Sequence, residues 1–240
     1  GFDVLIIDEV DALPFHRNDV LNYGAKKCVK KEHTLIYLTA TPSDKVRKMF
    51  SCEETLVLPA RYHGHPLPEP RLLWSGEWQE SLLNNKLTKH KIIQQIKTWL
   101  ELDQRFLIFC PDIEWMKKFE NKLHQVFPEQ AFTSVSSVDE KRKEKVMKMR
   151  EDKYRFMLTT TILERGVTFP NINIMVIGAE DSLFDEAALV QIAGRAGRSF
   201  RYPTGEVIFY HYGRTRALNK AAARIRYLNH TARKRGLLRD

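Results

Sequence analysis

RFMLTTTILERGVTFPNINIMVIGA, residues 155–179, decides the fold class. Two short apolar runs, RFMLTT and INIMVIGA, flank a polar segment, and both read as strands that are apolar on both faces. Such strands belong in parallel sheets covered by helices. Working outward, the signal repeats in FDVLIID, TLIYLTA, TLVLPA, RFLIFC, AFTSV and EVIFYH, with segments of 3.6-residue periodicity between them. The expected class is α/β, with parallel sheets flanked by helices.

The pattern breaks at PARYHGHPLPEPRLLWSG, residues 59–76, where four prolines and two glycines favour an extended connection. This divides the chain into a first part at 1–60, a proline-rich linker at 61–85 and a second part at 86–240. Phe2 already belongs to an apolar strand run, which reads as the interior of a domain and suggests a fragment. The 240 residues are 43% hydrophobic and carry 39 Lys and Arg against 30 Asp and Glu, a net charge of +9. That balance favours a polyanionic partner, either nucleic acid or an acidic membrane surface. The charge is concentrated in residues 214–239, a helix candidate with nine Lys or Arg and no acidic residue. EKRKEKVMKMR at 140–150 is a second basic segment, readable equally as a solvated helix face. Cys28, Cys52 and Cys110 lie far apart with no CxxC pair, which argues against a disulfide framework or a zinc site and fits a cytoplasmic compartment. No apolar run approaches the ~18 residues that span a bilayer.

Four motifs carry chemistry. VLIIDEVD puts Asp8 and Glu9 at the carboxyl end of a strand, where open α/β sheets bind ligands. An Asp-Glu pair there suits magnesium-dependent nucleotide hydrolysis, although it equally caps a following helix. LTATPSD places Thr39 and Thr41 where a strand meets a loop, either as a relay or as ordinary turn and capping hydroxyls. In TTTILERGVTFP, Thr160 and Thr161 offer hydroxyls and N–H groups suited to phosphate oxygens, and Gly166 allows a close turn. In QIAGRAGR, residues 191–198, a continuous helix would project Gln191, Arg195 and Arg198 from one face at i, i+4 and i+7, with Gly194 and Gly197 inside it. Arginine forks match phosphate geometry. Trp74, Trp78 and Trp99 read as linker and core packing, with base stacking the alternative. His63 and His65 of HGH read as part of a rigid spacer rather than a metal site.

The series LIIDEVD, LTATP, TTTILERGV, QIAGRAGR resembles motifs II, III, V and VI of superfamily 2 helicases and translocases, in the same order along essentially the whole chain. The resemblance implies two RecA-like domains, the first incomplete, with ATP and Mg²⁺ between them. Asp8 would bind magnesium through water, and Glu9 would activate the attacking water. Thr39 and Thr41 would couple the domains, while Gly166 and Thr168 would lie beside the nucleotide. Threonine stands at the second of these where the DEAD-box group often has aspartate. Gln191, Arg195 and Arg198 would sense the γ-phosphate, with Ile192 where RNA helicases often carry arginine. Single-stranded DNA would meet Ser136, Arg142 and Thr160. RYHGHPLPEP, ILERGVTFP and QIAGRAGR together resemble the ComFA family of late competence proteins, which power DNA uptake. That closer resemblance implies membrane-channel and competence-protein partners at the inner face of the membrane, and zinc only in a four-cysteine module that these 240 residues lack. They also contain no GxxxxGK[ST] phosphate loop, so this chain alone is expected not to turn over ATP. A non-catalytic DNA- or partner-binding module and an RNA helicase remain as alternatives.

Overall fold

The computed structural model describes residues 1–10, 18–84, 87–161 and 169–239. They divide into two compact units, Gly1–Val57 and Leu58–Asp240. In the first, strands β1 (Phe2–Ile7) and β2 (Val29–Tyr37) are joined through helix α1 (Asp19–Lys27), and a short α2 (Asp44–Arg47) follows. The strands pair in parallel with Ile7 opposite Tyr37, and the register shifts between Phe2 and Val4. Helix α1 starts where the Asn18 side chain accepts the Leu21 N–H, with Asp19 in its first turn and Lys26 and Lys27 in its last. Both charge placements complement the helix dipole. Ile7 is buried, yet Phe2, Val4 and Ile6 are exposed. TLVLPA, expected as a strand, is not one: Leu56 and Leu58 are exposed and pair with no neighbouring strand.

The second unit begins with β3 (Arg71–Trp74), α3 (Trp78–Ser81), α4 (Lys91–Glu101), β4 (Arg105–Phe109), α5 (Ile113–Val126) and β5 (Phe132–Val135). It continues through α6 (Arg142–Arg150), β6 (Phe156–Thr159), β7 (Ile172–Ile177), α7 (Glu186–Ala193), β8 (Val207–His211) and α8 (Arg216–Lys234). Its six strands form a sheet in the order β3-β8-β7-β4-β6-β5. Every pairing is parallel. The stretch expected to be a linker is therefore extended but not free, because Arg71–Trp74 adds an edge strand beside β8.

Strand alternation splits β4 between two cores, Phe106 and Ile108 on one face and Leu107 and Phe109 on the other. Phe132, Phe156 and Phe106 stack in a row across three strands, with centroids 4.3 and 4.7 Å apart. Trp99 lies against Phe106, and Trp78 meets Trp115 edge-on. Trp78 and Trp99 are thus core packing, with no face left for a base. Trp74 is exposed, with the Lys91 ammonium over its ring. Helix α8 buries Leu218, Ala221, Ala222 and Ile225, leaving Arg216, Lys220, Arg226 and Arg233 outside. Cys110, at the end of β4, is fully buried, and that burial, reinforced by Asp112, raises its thiol pKa far above the ordinary value. Cys28 and Cys52 are exposed. Among the described residues no helix is long and apolar enough to cross a membrane.

Candidate functional site

The expected site residues fall in both units, and each set is organised within its own unit. In the first, parallel pairing brings Asp8, after β1, beside the loop that follows β2, because Ile7 and Tyr37 are register partners. The Leu38 N–H donates to Ile7 O at 2.9 Å and the Val10 N–H to Leu38 O at 3.2 Å, which ties the two strand ends together. Asp8 accepts the N–H of Glu9 at 2.8 Å, and Glu9 has a positive φ of 51°. That left-handed turn is sparsely populated by a residue with a Cβ. Thr39 accepts the Thr41 N–H at 3.1 Å, and Ser43 accepts the Val46 N–H at 3.4 Å. The Thr39 hydroxyl therefore shapes a local turn at the same sheet end as the carboxylates. Among the described residues no group of three His, Cys, Asp or Glu side chains could hold a metal. A strand-end carboxylate fits Mg²⁺ held through water and phosphate, not a closed protein cage.

In the second unit, Ser136 and Thr160 follow register partners Val135 and Thr159, so they stand side by side at the carboxyl edge of β5 and β6. Both are buried. Arg142 is the first residue of α6 and half-buried. The turn between Ser136 and Arg142 is held by Lys145, whose ammonium meets Asp139 at 2.7 Å and donates to Ser134 O at 2.9 Å. Burial alone would raise the Asp139 carboxyl, but Lys145 and the Lys141 N–H hold it below its ordinary range. Gly166 and Thr168 lie outside the described residues.

QIAGRAGR is not one helix. Helix α7 ends at Ala193, and a tight succession of turns carries residues 194–197. The Arg195 N–H donates to Ile192 O and the Ala196 N–H to Ala193 O, the i→i+3 pattern that tightens a helix end. Gly197 then adopts φ +61°, and a Cβ there would lie 2.3 Å from Pro203 O, so the backbone can turn only at glycine. The glycines end the helix rather than thin one face of it. As a result the two arginines part company: Arg195 is 4% exposed, whereas Arg198 is solvent-exposed.

The residues sequence reading missed lie in RYHGH. The half-buried Arg61 guanidinium donates to Ala196 O at 2.8 Å, Gly197 O at 2.6 Å and Gly194 O at 3.0 Å. His63 is buried; its Nδ1 accepts the His65 N–H at 3.1 Å, which leaves Nε2 to donate to Gly197 O at 3.1 Å. Burial, and then Arg61, lower the His63 pKa and favour this neutral form. Tyr62 donates to Arg198 O at 3.4 Å. Burial and then Arg198 pull the Arg61 pKa down to about 10, which still leaves it cationic at neutral pH. HGH is thus part of a backbone clamp, not a free spacer.

The helicase conserved C-terminal domain family matches residues 88–200, a span that includes β4 through α7 and the arginine loop. Over 98% of its length the chain is 41% identical to the competence protein ComFA of Bacillus subtilis, covering 50% of that protein. Residues 88–200 are thus similar to helicase C-terminal domains, and the chain as a whole is similar to ComFA. The ComFA of Streptococcus pneumoniae is 37% identical over 97% of the chain, which covers 54% of it. The chain therefore spans about half the length of these ComFA relatives. Mycobacterium smegmatis helicase Lhr, in a structure bound to single-stranded DNA and AMP-PNP, superposes with a TM-score of 0.64 at 16% identity. That match covers 94% of this chain and 31% of Lhr. The likeness establishes the RecA-like α/β architecture.

Proposed function

We propose that the protein carrying this chain is an ATP-driven motor that moves along single-stranded DNA during DNA uptake. ATP would lie between a first RecA-like domain ending near residue 60 and a second at 86–240. The observation that carries this reading is Arg198, a solvent-facing guanidinium on a loop whose backbone is fixed at three consecutive points. A preorganised cation suits the charge that develops on a transferring phosphoryl group. Support also comes from the ComFA relatives, whose name ties them to competence, and from the polar ends of parallel strands, where α/β folds bind ligands.

In this reading Asp8 holds Mg²⁺ through water, and the ion, when bound, neutralises phosphate charge. Glu9, turned by its left-handed backbone, orients the attacking water. Thr39 and Thr41 transmit the nucleotide state along the loop that follows β2. Gln191 contacts the γ-phosphate, and Arg195, buried beneath the loop, shapes the surface from which Arg198 projects. Gly166 and Thr168 complete the nucleotide pocket. Ser136, Arg142 and Thr160, grouped at the carboxyl edge of β5 and β6, meet phosphates of the DNA backbone. Such binding is weakly sequence-dependent and strongly salt-dependent. The motor works at the inner face of the membrane, delivering strand through a channel.

The test is ATP hydrolysis by the full-length protein with single-stranded DNA or RNA of equal length. Stronger stimulation by DNA is expected. Stimulation by RNA alone would favour an RNA helicase, and no hydrolysis with either would leave a non-catalytic binding module.

A further inference from the structure

We propose that Arg61 is a positioning residue for the arginine loop, and that RYHGH, at the N-terminal edge of the second unit, is a hook that sets the direction of Arg198. The inference rests on the motor reading for its consequence, but not for its geometry. Arg61 lies just past the boundary at Val57 and Leu58. Its two terminal nitrogens donate to carbonyls of residues 194, 196 and 197, which follow directly on the C-terminus of α7. A guanidinium there meets the negative end of the helix dipole, and its fixed fork specifies the relative positions of three peptide planes. His63 adds a second donor to Gly197 O, and Tyr62 one to Arg198 O. The carbonyls on both sides of the Gly197 turn and that of Arg198 itself are therefore held from a single five-residue segment.

The segment is anchored in turn. The Gly64 N–H returns to Arg61 O at 2.9 Å, and Gly64 O accepts the Arg239 N–H at 2.8 Å. A Cβ on Gly64, whose φ is +76°, would fall 2.9 Å from the Arg239 side chain. The Arg239 guanidinium lies over Phe200, two residues beyond Arg198. Any displacement of residues 61–63 must therefore move the loop that carries Arg198 or break these bonds. The hook makes presentation of Arg198 sensitive to the placement of residues 61–63, and it acts through backbone carbonyls without touching the phosphoryl group.

Full-length protein with Arg61→Ala or Arg61→Lys is assayed for ATPase at saturating single-stranded DNA, for DNA affinity, and for hydrogen exchange. Arg61→Ala is expected to lower kcat by roughly 10- to 100-fold, the scale of a 1 Å misplacement, with KM for ATP and DNA affinity within twofold. Amides of 195–199 exchange faster while those of β4 keep their protection. Arg61→Lys, which keeps the charge and loses the fork, recovers only part of kcat. Wild-type kcat in either variant, while Arg198→Ala is inactive, would overturn the hook and leave the motor standing. Uniform loss of protection that includes β4 would likewise overturn it in favour of general destabilisation. If the wild type hydrolyses no ATP, the motor reading fails, and exchange alone decides: unchanged protection at 195–199 in Arg61→Ala sinks the hook as well.

Discussion

The acidic strand end of the first unit and the arginine loop of the second follow the same plan, polar groups presented just beyond buried-type structure, but they are held by different means. Asp8, Thr39 and Ser43 accept from N–H groups one to three residues away. The arginine loop is held from 133 to 136 residues away in sequence, by Arg61, Tyr62 and His63. The surroundings differ in the same sense. Every residue of β4, β6, β7 and β8 is buried, whereas Phe2, Val4 and Ile6 of β1 are exposed. In the first unit the side-chain bonds are local and backbone bonds join the strand ends, Leu38 to Ile7 and Val10 to Leu38. In the second, side chains far away in sequence hold the loop itself.

The largest test of this contrast is catalytic. On the proposed motor reading, Arg198→Ala in the full-length protein should cut DNA-stimulated ATPase by roughly 10³-fold or more, the scale of an arginine finger, with DNA binding and urea midpoint unchanged. Arg195→Ala should lower both activity and the urea midpoint, because it empties a buried position. Equal stability effects from the two would erase the distinction between a supporting arginine and a presented one.

Next in size is the core. Phe106→Ala, which breaks the aromatic stack, should cost about 3–5 kcal/mol in urea unfolding of the second unit. Val4→Ala, on a side chain 53% exposed, should cost no more than ~0.5 kcal/mol in this chain. A larger loss from Val4→Ala in the full-length protein would indicate that further structure covers β1 there.

Gly197→Ala is smaller but sharper. A left-handed φ and the approach to Pro203 O should together cost about 1–3 kcal/mol, read as faster exchange at 195–199 and lost ATPase. Gly24→Ala, whose Cβ would meet nothing within 4 Å, should slightly stabilise helix α1.

The smallest effect is that of pH. The fold lowers the His63 pKa below its ordinary 6.5, by burial first and then by Arg61. The folded state therefore prefers the neutral ring, and the contribution is complete above 6.5 and lost as pH falls below it. Loop amides corrected for intrinsic exchange should lose protection on going from pH 7.5 to 5.5, and His63→Gln should abolish that dependence. Protection that rises on acidification would mean the wrong tautomer has been assigned.

Much of the fold is legible in single runs of sequence. RFLIFC, AFTSV, RFMLTT, INIMVIGA and EVIFYH each contain a strand of the second sheet, because two-sided burial leaves a continuous apolar signature. TLVLPA carries the same signature yet does not form a strand, and composition alone does not distinguish the two. Residues 30–33, KKEH, are polar yet belong to β2, because backbone pairing on an uncovered sheet makes no demand for apolar side chains. Edge strand β3 hides behind prolines that only its interior neighbours would have excluded. At the site, the strand-end carboxylates and hydroxyls were readable because their partners are local. The arginine hook was not. Its acceptors are backbone carbonyls, which every residue possesses, so no acidic partner betrays Arg61. The one trace is that RYHGH and QIAGRAGR, far apart in the chain, both carry the ComFA resemblance.

The placement of the three thiols gives the molecule a built-in clock. Cys28 and Cys52, both in the first unit, will take up an alkylating reagent in the native protein, while Cys110, sealed just past the end of β4 with its thiolate disfavoured, will wait for the second unit to open. Labelling followed by mass spectrometry therefore times the opening of the arginine-bearing half in the native chain, without any engineered probe.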